Sequence, residues 1–235
     1  MLNNLQKTVC ALAVLATTSL PALAESIDVR VIGTIDPAAC TPTLSGGGTV
    51  DYGTIKPTAL AQDAFTLLAE KQLDFAINCD APAKVAITAH SQRGASAVKA
   101  DGSLAVLATT TAGLYGVSGG NVAVAGLGLD GAKGIGGYGL RLTSGTMTAD
   151  GVAVDSIQSN GNTTSWATTG TGSLFNNEAN VRYSSWAATG TTTPIAFTTL
   201  AGKLGVQAYI NKASELDLTK PVALDGLTTL ELVYL

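Results

Sequence analysis

The residues able to do chemistry in this chain are few, and their spacing argues against most catalysis. His90 is its single histidine, and three cysteines stand at Cys10, Cys40 and Cys79. A hydrolytic triad needs a nucleophile, a base and an orienting acid, and no G-x-S-x-G elbow accompanies His90. Its neighbours Ser91-Gln92-Arg93-Gly94 read as a solvated turn. Gly126-Leu127-Gly128-Leu129-Asp130-Gly131 matches G-x-G-x-x-G, which cradles phosphates only between a strand and a helix. Ala132-Lys133-Gly134-Ile135-Gly136-Gly137 follows and would break a helix, so a glycine-rich hairpin is expected instead. Asp150 and Asp155 are the kind of carboxylates glycoside hydrolysis pairs, but scattered acids of this sort usually keep a surface soluble. Trp166, Trp186, Tyr115 and Tyr138 are candidates for a sugar-stacking surface, though aromatics of this kind more often cap a β core.

The elements around them begin with a leader. Lys7, an apolar run over residues 9–16 and Leu20-Pro21-Ala22-Leu23-Ala24 read as a signal peptide of residues 1–24, with the mature chain starting at Glu25. The apolar run is too short for a bilayer, and no later run is longer, so no membrane insertion is expected. The remaining 211 of 235 residues suit one domain over residues 25–235. Losing Lys7 leaves 12 basic against 17 acidic side chains, a net charge of −5. So mild an acidic balance excludes a nucleic-acid partner.

Without Cys10, an even pair remains. In an exported chain Cys40 and Cys79 read as one disulfide. Closing that loop removes roughly 4 kcal/mol of unfolded-chain entropy, and it consumes both thiol nucleophiles. With one histidine left over, neither a zinc site nor any other cofactor is expected, and the chain reads as no enzyme.

Alternation then sets the fold class. Ile27, Val29 and Val31 oppose Asp28 and Arg30. Leu73, Phe75, Ile77 and Cys79 alternate, as do Leu204, Val206, Ala208 and Ile210. After Pro221 the even positions run Val222, Leu224, Gly226, Thr228, Leu230, Leu232 and Tyr234. Asp101-Gly102, Asp130-Gly131, Asp150-Gly151 and Asn160-Gly161 predict hairpins. Leu60, Ala64, Leu67 and Leu68, after Pro57, predict one short helix. Ser165-Trp166-Ala167-Thr168-Thr169-Gly170 returns twenty residues later as Ser185-Trp186-Ala187-Ala188-Thr189-Gly190, read as two similar hairpin arms or as chance in a Thr/Gly-biased stretch.

A strand leading to Cys40, Val50-Asp51-Tyr52-Gly53, a second cysteine ending a strand and an alternating C-terminal segment with penultimate Tyr234 resemble chaperone–usher fimbrial (pilin-like) subunits. Gly33-Thr34-Ile35-Asp36-Pro37-Ala38-Ala39-Cys40-Thr41-Pro42 and Asn78-Cys79-Asp80-Ala81-Pro82 resemble, more narrowly, an uncharacterised GltF-like group of fimbria-associated exported proteins. The resemblance covers about residues 27–90 and the last fifteen. It implies an all-β, immunoglobulin-like sandwich lacking its last strand, with an enlarged Gly/Thr-rich central region. It further implies donor-strand assembly into a fimbria involved in cell adhesion, passing through the periplasm to the cell surface. A periplasmic pilus chaperone, an outer-membrane usher and other fimbrial subunits would be the partners. By analogy Val222, Leu224, Leu230, Leu232 and Tyr234 line or flank the vacant groove. One departure stands out: residues 27–35 are either the donor segment or the first strand of a subunit that cannot donate. Two alternatives remain open, a tip adhesin binding glycan through central loops with Trp166 and Trp186, and a non-polymerising periplasmic accessory protein with a complete sandwich.

Overall fold

The computed structural model of the protein describes residues 26–36, 38–117, 122–176 and 180–235. The leader read at residues 1–24 lies outside them. The chain divides into two units, Met1–Asp36 and Pro37–Leu235. In the first, residues 26–36 form no strand. Their apolar side chains are bare, from 79% exposed at Ile32 to 98% at Ile35. The alternation at Ile27, Val29 and Val31 therefore does not make the first strand of the body, which begins after Asp36 rather than at Glu25. A period-two pattern fits a strand, but the strand forms only where a neighbour supplies backbone partners.

The second unit is an all-β sandwich. Its principal strands are β1 (Cys40–Leu44), β2 (Lys71–Ala83), β3 (Val85–Ser91), β4 (Leu107–Thr110), β5 (Val122–Gly126), β6 (Gly136–Leu142), β7 (Thr148–Ala149), β8 (Val152–Asn160), β9 (Arg182–Ala188), β10 (Phe197–Ile210) and β11 (Thr228–Tyr234). One layer runs β1–β2–β10–β6–β5–β4, every pair antiparallel. The other runs β11–β3–β9–β8. The β7–β8 hairpin joins them, because β7 pairs with β10 and β8 with β9. Its turn is Asp150-Gly151, with φ of 47° and 80°, the paired left-handed conformation that such dipeptides tolerate.

Register explains the core. Leu204 faces Leu73 on one side of β10 and Leu142 on the other. Leu73, Phe75, Ile77 and Cys79 all point inward and are buried. Each large one is worth roughly 1.5–3 kcal/mol of apolar burial. From the opposite layer the Trp186 ring stacks on Phe75 at 6.2 Å and meets Phe197 edge-on at 5.8 Å. Cys40 and Cys79 face each other in the β1–β2 register and are joined by a disulfide.

The central region covers the outer face of the first layer. Ala97, Val98, Leu114, Val122 and Val124 build a second small core against Tyr209. The Tyr209 hydroxyl donates to Val98 O at 2.5 Å. Opposite it Gly137 has to be glycine, since a Cβ there would stand 2.7 Å from the Tyr209 phenol oxygen.

Two sequence expectations change. No helix forms over residues 57–71. Pro57–Ala59 makes a single 3-10 turn, and Thr66–Leu67 pairs with the end of β10. Tertiary pairing outweighs a weak helical spacing there. His90 is not in a turn but near the end of β3, facing Thr229. Val50-Asp51-Tyr52-Gly53 forms no strand; Gly53 turns with φ of 66° and its N–H is accepted by the Asp51 carboxylate at 2.7 Å. The G-x-G-x-x-G segment is a glycine-rich hairpin as expected, turning at Gly131-Ala132 between Leu129–Asp130 and Lys133–Gly134.

Candidate functional site: an open apolar groove

Between the layers of the body opens a groove of about 780 Å³. Its floor is the inner face of β10, where Leu204, Val206, Ala208 and Ile210 follow one another, extended by Leu140 and Tyr138 of β6. One wall is the end of β1 and the stretch after it, with Leu44, Val50, Tyr52 and Ile55. The other is the approach to β11, with Val222, Leu224, Leu227 and Leu230. Most lining side chains are apolar, with Asp51, Thr54, Lys220 and Thr228 as polar ones among them.

The groove exists because the second layer stops at β11. Among the described residues, β11 pairs with β3 and with no other strand. Likewise β1 pairs only with β2. Each therefore presents one free edge of backbone N–H and C=O groups. The inward residues of β11 keep the alternation read in the sequence: Leu230 faces Ala89, Leu232 faces Ile87 and Tyr234 faces Val85. Leu230 and Leu232 pack on the core yet stay only partly buried, as do Val222 and Leu224.

The five predicted groove residues are thus brought together with differing parts. Val222, Leu224 and Leu230 line the recess, and Leu232 packs on the core beside it. Tyr234 flanks it, half-exposed, its phenol oxygen accepting the Cys40 N–H at 2.8 Å. Leu127, Ile135, Tyr138 and Leu140 also line it. They come from the Gly-rich middle, where no long alternation pointed to a shared surface.

Polar groups brace the walls. Tyr52 donates from its hydroxyl to Val206 O at 3.1 Å, pinning one wall to the floor. Burial pushes its ionisation up to about 12, so it stays a neutral donor. Tyr138 and Thr228 share a hydroxyl hydrogen bond at 2.5 Å, and burial raises Tyr138 as well. Arg93 binds the Asp225 carboxylate at 2.6 Å and its carbonyl at 2.9 Å, fastening the second wall. On the outer face of the floor Arg141 makes a two-pronged pair with Glu70, at 2.9 and 2.7 Å, and lies over the Tyr115 ring.

The remaining candidates fall elsewhere. Trp186 is fully buried and offers no ligand surface: β9 turns it inward between Phe75 and Phe197. Trp166 is partly exposed, and its indole N–H donates to Thr163 O at 3.1 Å. Their two sequence copies lie on opposite edges of β8, through Ala167–Thr168 and through β9. Tyr138 is buried and Tyr115 partly so. Asp150 accepts the N–H groups of Thr198 and Thr199, which hold its carboxyl below the usual range; it is a turn anchor. Asp155 accepts the Gly190 N–H at 2.8 Å. His90 Nε2 lies 2.9 Å from Thr88 Oγ1 and 3.6 Å from Glu231, a β3–β11 surface contact.

Comparison with known proteins agrees with the narrower resemblance at a coarse level. Residues 29–139 match a family described as a protein of unknown function, DUF1120. Over 92 residues the chain is 34% identical to the "Uncharacterized protein YhcF" of Escherichia coli K12, covering 39% of this chain and 38% of that protein. It spans well under two thirds of YhcF's length. Over 251 aligned positions it is 29% identical to "Protein GltF" of the same organism, covering 96% of this chain and 94% of that one. No solved structure matches.

Proposed function

We propose that this chain is a structural subunit of a chaperone–usher fimbria, exported through its leader and assembled by donor-strand complementation. It is a building part and not an enzyme. The observation that carries the reading is the open groove. An immunoglobulin-like sandwich short of its last strand has an apolar floor and two free strand edges, and here both bound one recess. An extended peptide laid there would hydrogen-bond to the edges and put alternate side chains into the floor.

A donor of the right pattern stands in the same sequence. Ile27, Val29 and Val31 alternate with Asp28 and Arg30, Gly33 and Ile35 continue the odd positions with only Ile32 out of step, and the four apolar side chains at 27, 29, 31 and 35 are 86–98% exposed. Buried in a groove, each is worth roughly 1.5–3 kcal/mol. A periplasmic chaperone lends its strand first, and a neighbouring subunit's residues 27–35 then replace it at the usher. The residues read beforehand as either donor or first strand take the donor role.

Expression with and without a strand-donating pilus chaperone tests the reading. Expected are a soluble one-to-one complex in its presence and aggregation in its absence. A lone monomer that melts in one sharp cooperative transition would return the chain to the accessory-protein alternative.

A further inference from the structure

We propose that the strand seated in the groove is residues 27–35 of a second copy of this chain, held in one register by an ion pair between its Arg30 and Glu231. The inference rests on the donor-strand reading and adds to it the partner and the alignment.

Backbone parity on β11 limits the choices. The Gln92 N–H donates to Leu227 O at 2.9 Å and the Leu235 N–H to Lys84 O at 3.0 Å, at the two ends of the β3–β11 pairing. Such bonds fall on alternate residues of an antiparallel pair, so the odd positions from 227 to 235 spend their backbone groups on β3. The N–H and C=O groups of Thr228, Leu230, Leu232 and Tyr234 point to the free edge. Those even positions also carry the inward side chains, leaving Thr229, Glu231 and Val233 on the outer face. An incoming strand with its odd residues inward must set them beside these even ones. It can therefore slip only two residues at a time.

Charge selects among the slips. Glu231 is the one charged residue of β11. Its side chain is 62% exposed, with His90 Nε2 at 3.6 Å on the β3 side. Residues 27–35 carry two charges, Asp28 and Arg30, both exposed and both at even, outward positions. With the strands antiparallel and Arg30 beside Glu231, Ile27 falls beside Tyr234, Val29 beside Leu232, Val31 beside Leu230 and Ile35 beside Gly226. Leu230 and Gly226 line the groove. A slip one way sets Asp28 against Glu231, two like charges in direct opposition. A slip the other way leaves Glu231 beside Ile32. A parallel strand with the same ion pair puts Ile27 beside Thr228 and carries Ile35 past Leu235, off the end of β11 and away from the lining Leu224 and Leu227. Both members of the pair belong to this sequence, so the complementary donor is another copy of it.

Charge exchange between peptide and groove tests the proposal. The full chain carrying Val29→Asp and Val31→Asp, which disables its own segment, is refolded without chaperone alongside synthetic peptides of residues 27–35. The concentration giving half the rise in unfolding temperature is read for each. The native peptide should saturate. Arg30→Glu in the peptide should weaken it about fivefold to tenfold, and Glu231→Arg in the chain should do the same. Both reversals together should restore binding to within about threefold of native, which a merely damaged fold would not do. An Asp28→Cys peptide should cross-link to a chain carrying Val233→Cys and not to one carrying Thr229→Cys, where a parallel strand would place it. Single reversals without effect, a double reversal no better than either alone, or cross-linking at position 229 would overturn the register and leave the donor-strand reading standing. A native peptide that never saturates, for a chain that still forms its chaperone complex, would overturn the second copy as donor and point to a different subunit. Loss of the chaperone complex as well would remove the donor-strand reading with it.

Discussion

The Cys40 backbone N–H donates to the Tyr234 phenol oxygen across 2.8 Å, joining the first strand of the body to its last. Cys40 opens β1 and Tyr234 closes β11, the two strands whose free edges flank the groove. The disulfide ties Cys40 in turn to β2. One end of the groove is therefore clasped by a covalent bond and a hydrogen bond in series, while its other end depends on side chains such as Tyr52 and Arg93.

Replacing Tyr234 by Phe removes that clasp and keeps the ring. Because the side chain is half-exposed, the expected loss is at the low end for one hydrogen bond, about 0.5–1 kcal/mol. Urea melts of the chaperone-bound subunit check it. No change in midpoint would mean that water replaces the bond fully.

The two tryptophans should part company. Trp186→Ala empties a fully buried site between Phe75 and Phe197 and should cost about 3–5 kcal/mol. Trp166→Ala should cost about 1 kcal/mol or less, since its ring is partly solvated. Paired thermal melts compare them, and similar losses would contradict the placement of Trp186 in the core.

This contrast shows what the sequence could and could not tell. The two copies of Ser-Trp-Ala are locally alike, yet one Trp is core and the other is not, because burial is decided by what β2 and β10 bring across the sandwich. The disulfide, the inward faces of β2 and β10, and the Asp150-Gly151 hairpin were legible, since each is a local pattern or a count. So was the alternation of Leu230, Leu232 and Tyr234 along β11. The alternation at Ile27, Val29 and Val31 was legible as a strand pattern, but a pattern does not say whose backbone will pair with it. The groove floor from β6 was not legible: Tyr138 and Leu140 sit among glycines that leave room for Tyr209 and Tyr115 behind the sheet.

Stability should fall steeply at alkaline pH. Burial raises the folded-state ionisation of Tyr52 from 10.0 to about 12, and raises Tyr115, Tyr138 and Tyr209 as well. Below pH 10 both folded and unfolded chains keep these protons. Above it the unfolded chain releases them first, so stability is lost progressively as pH rises from about 10 toward 12 for Tyr52. Denaturant melts across this window, alongside the tyrosinate absorbance, measure it. Tyr52→Phe should flatten the slope, and an unchanged slope would count against burial as the cause.

Gly151→Ala tests the hairpin that joins the layers. Its φ of 80° suits glycine, so a Cβ should cost about 1–2 kcal/mol through backbone strain, despite open space around it. Equilibrium unfolding checks the value, and a neutral or stabilising effect would show that the turn readjusts.

The most direct test concerns the groove and the segment that suits it. The full chain carrying Val29→Asp and Val31→Asp, so that its own residues 27–35 cannot compete, is refolded from denaturant, without chaperone, in the presence of increasing amounts of a synthetic peptide of the native residues 27–35. The account predicts saturable binding and an unfolding temperature that climbs with peptide concentration, with no rise for a peptide whose apolar residues are moved by one position, nor for a chain also carrying Leu230→Asp. An unfolding temperature indifferent to the native peptide, or raised equally by the shifted one, would contradict it.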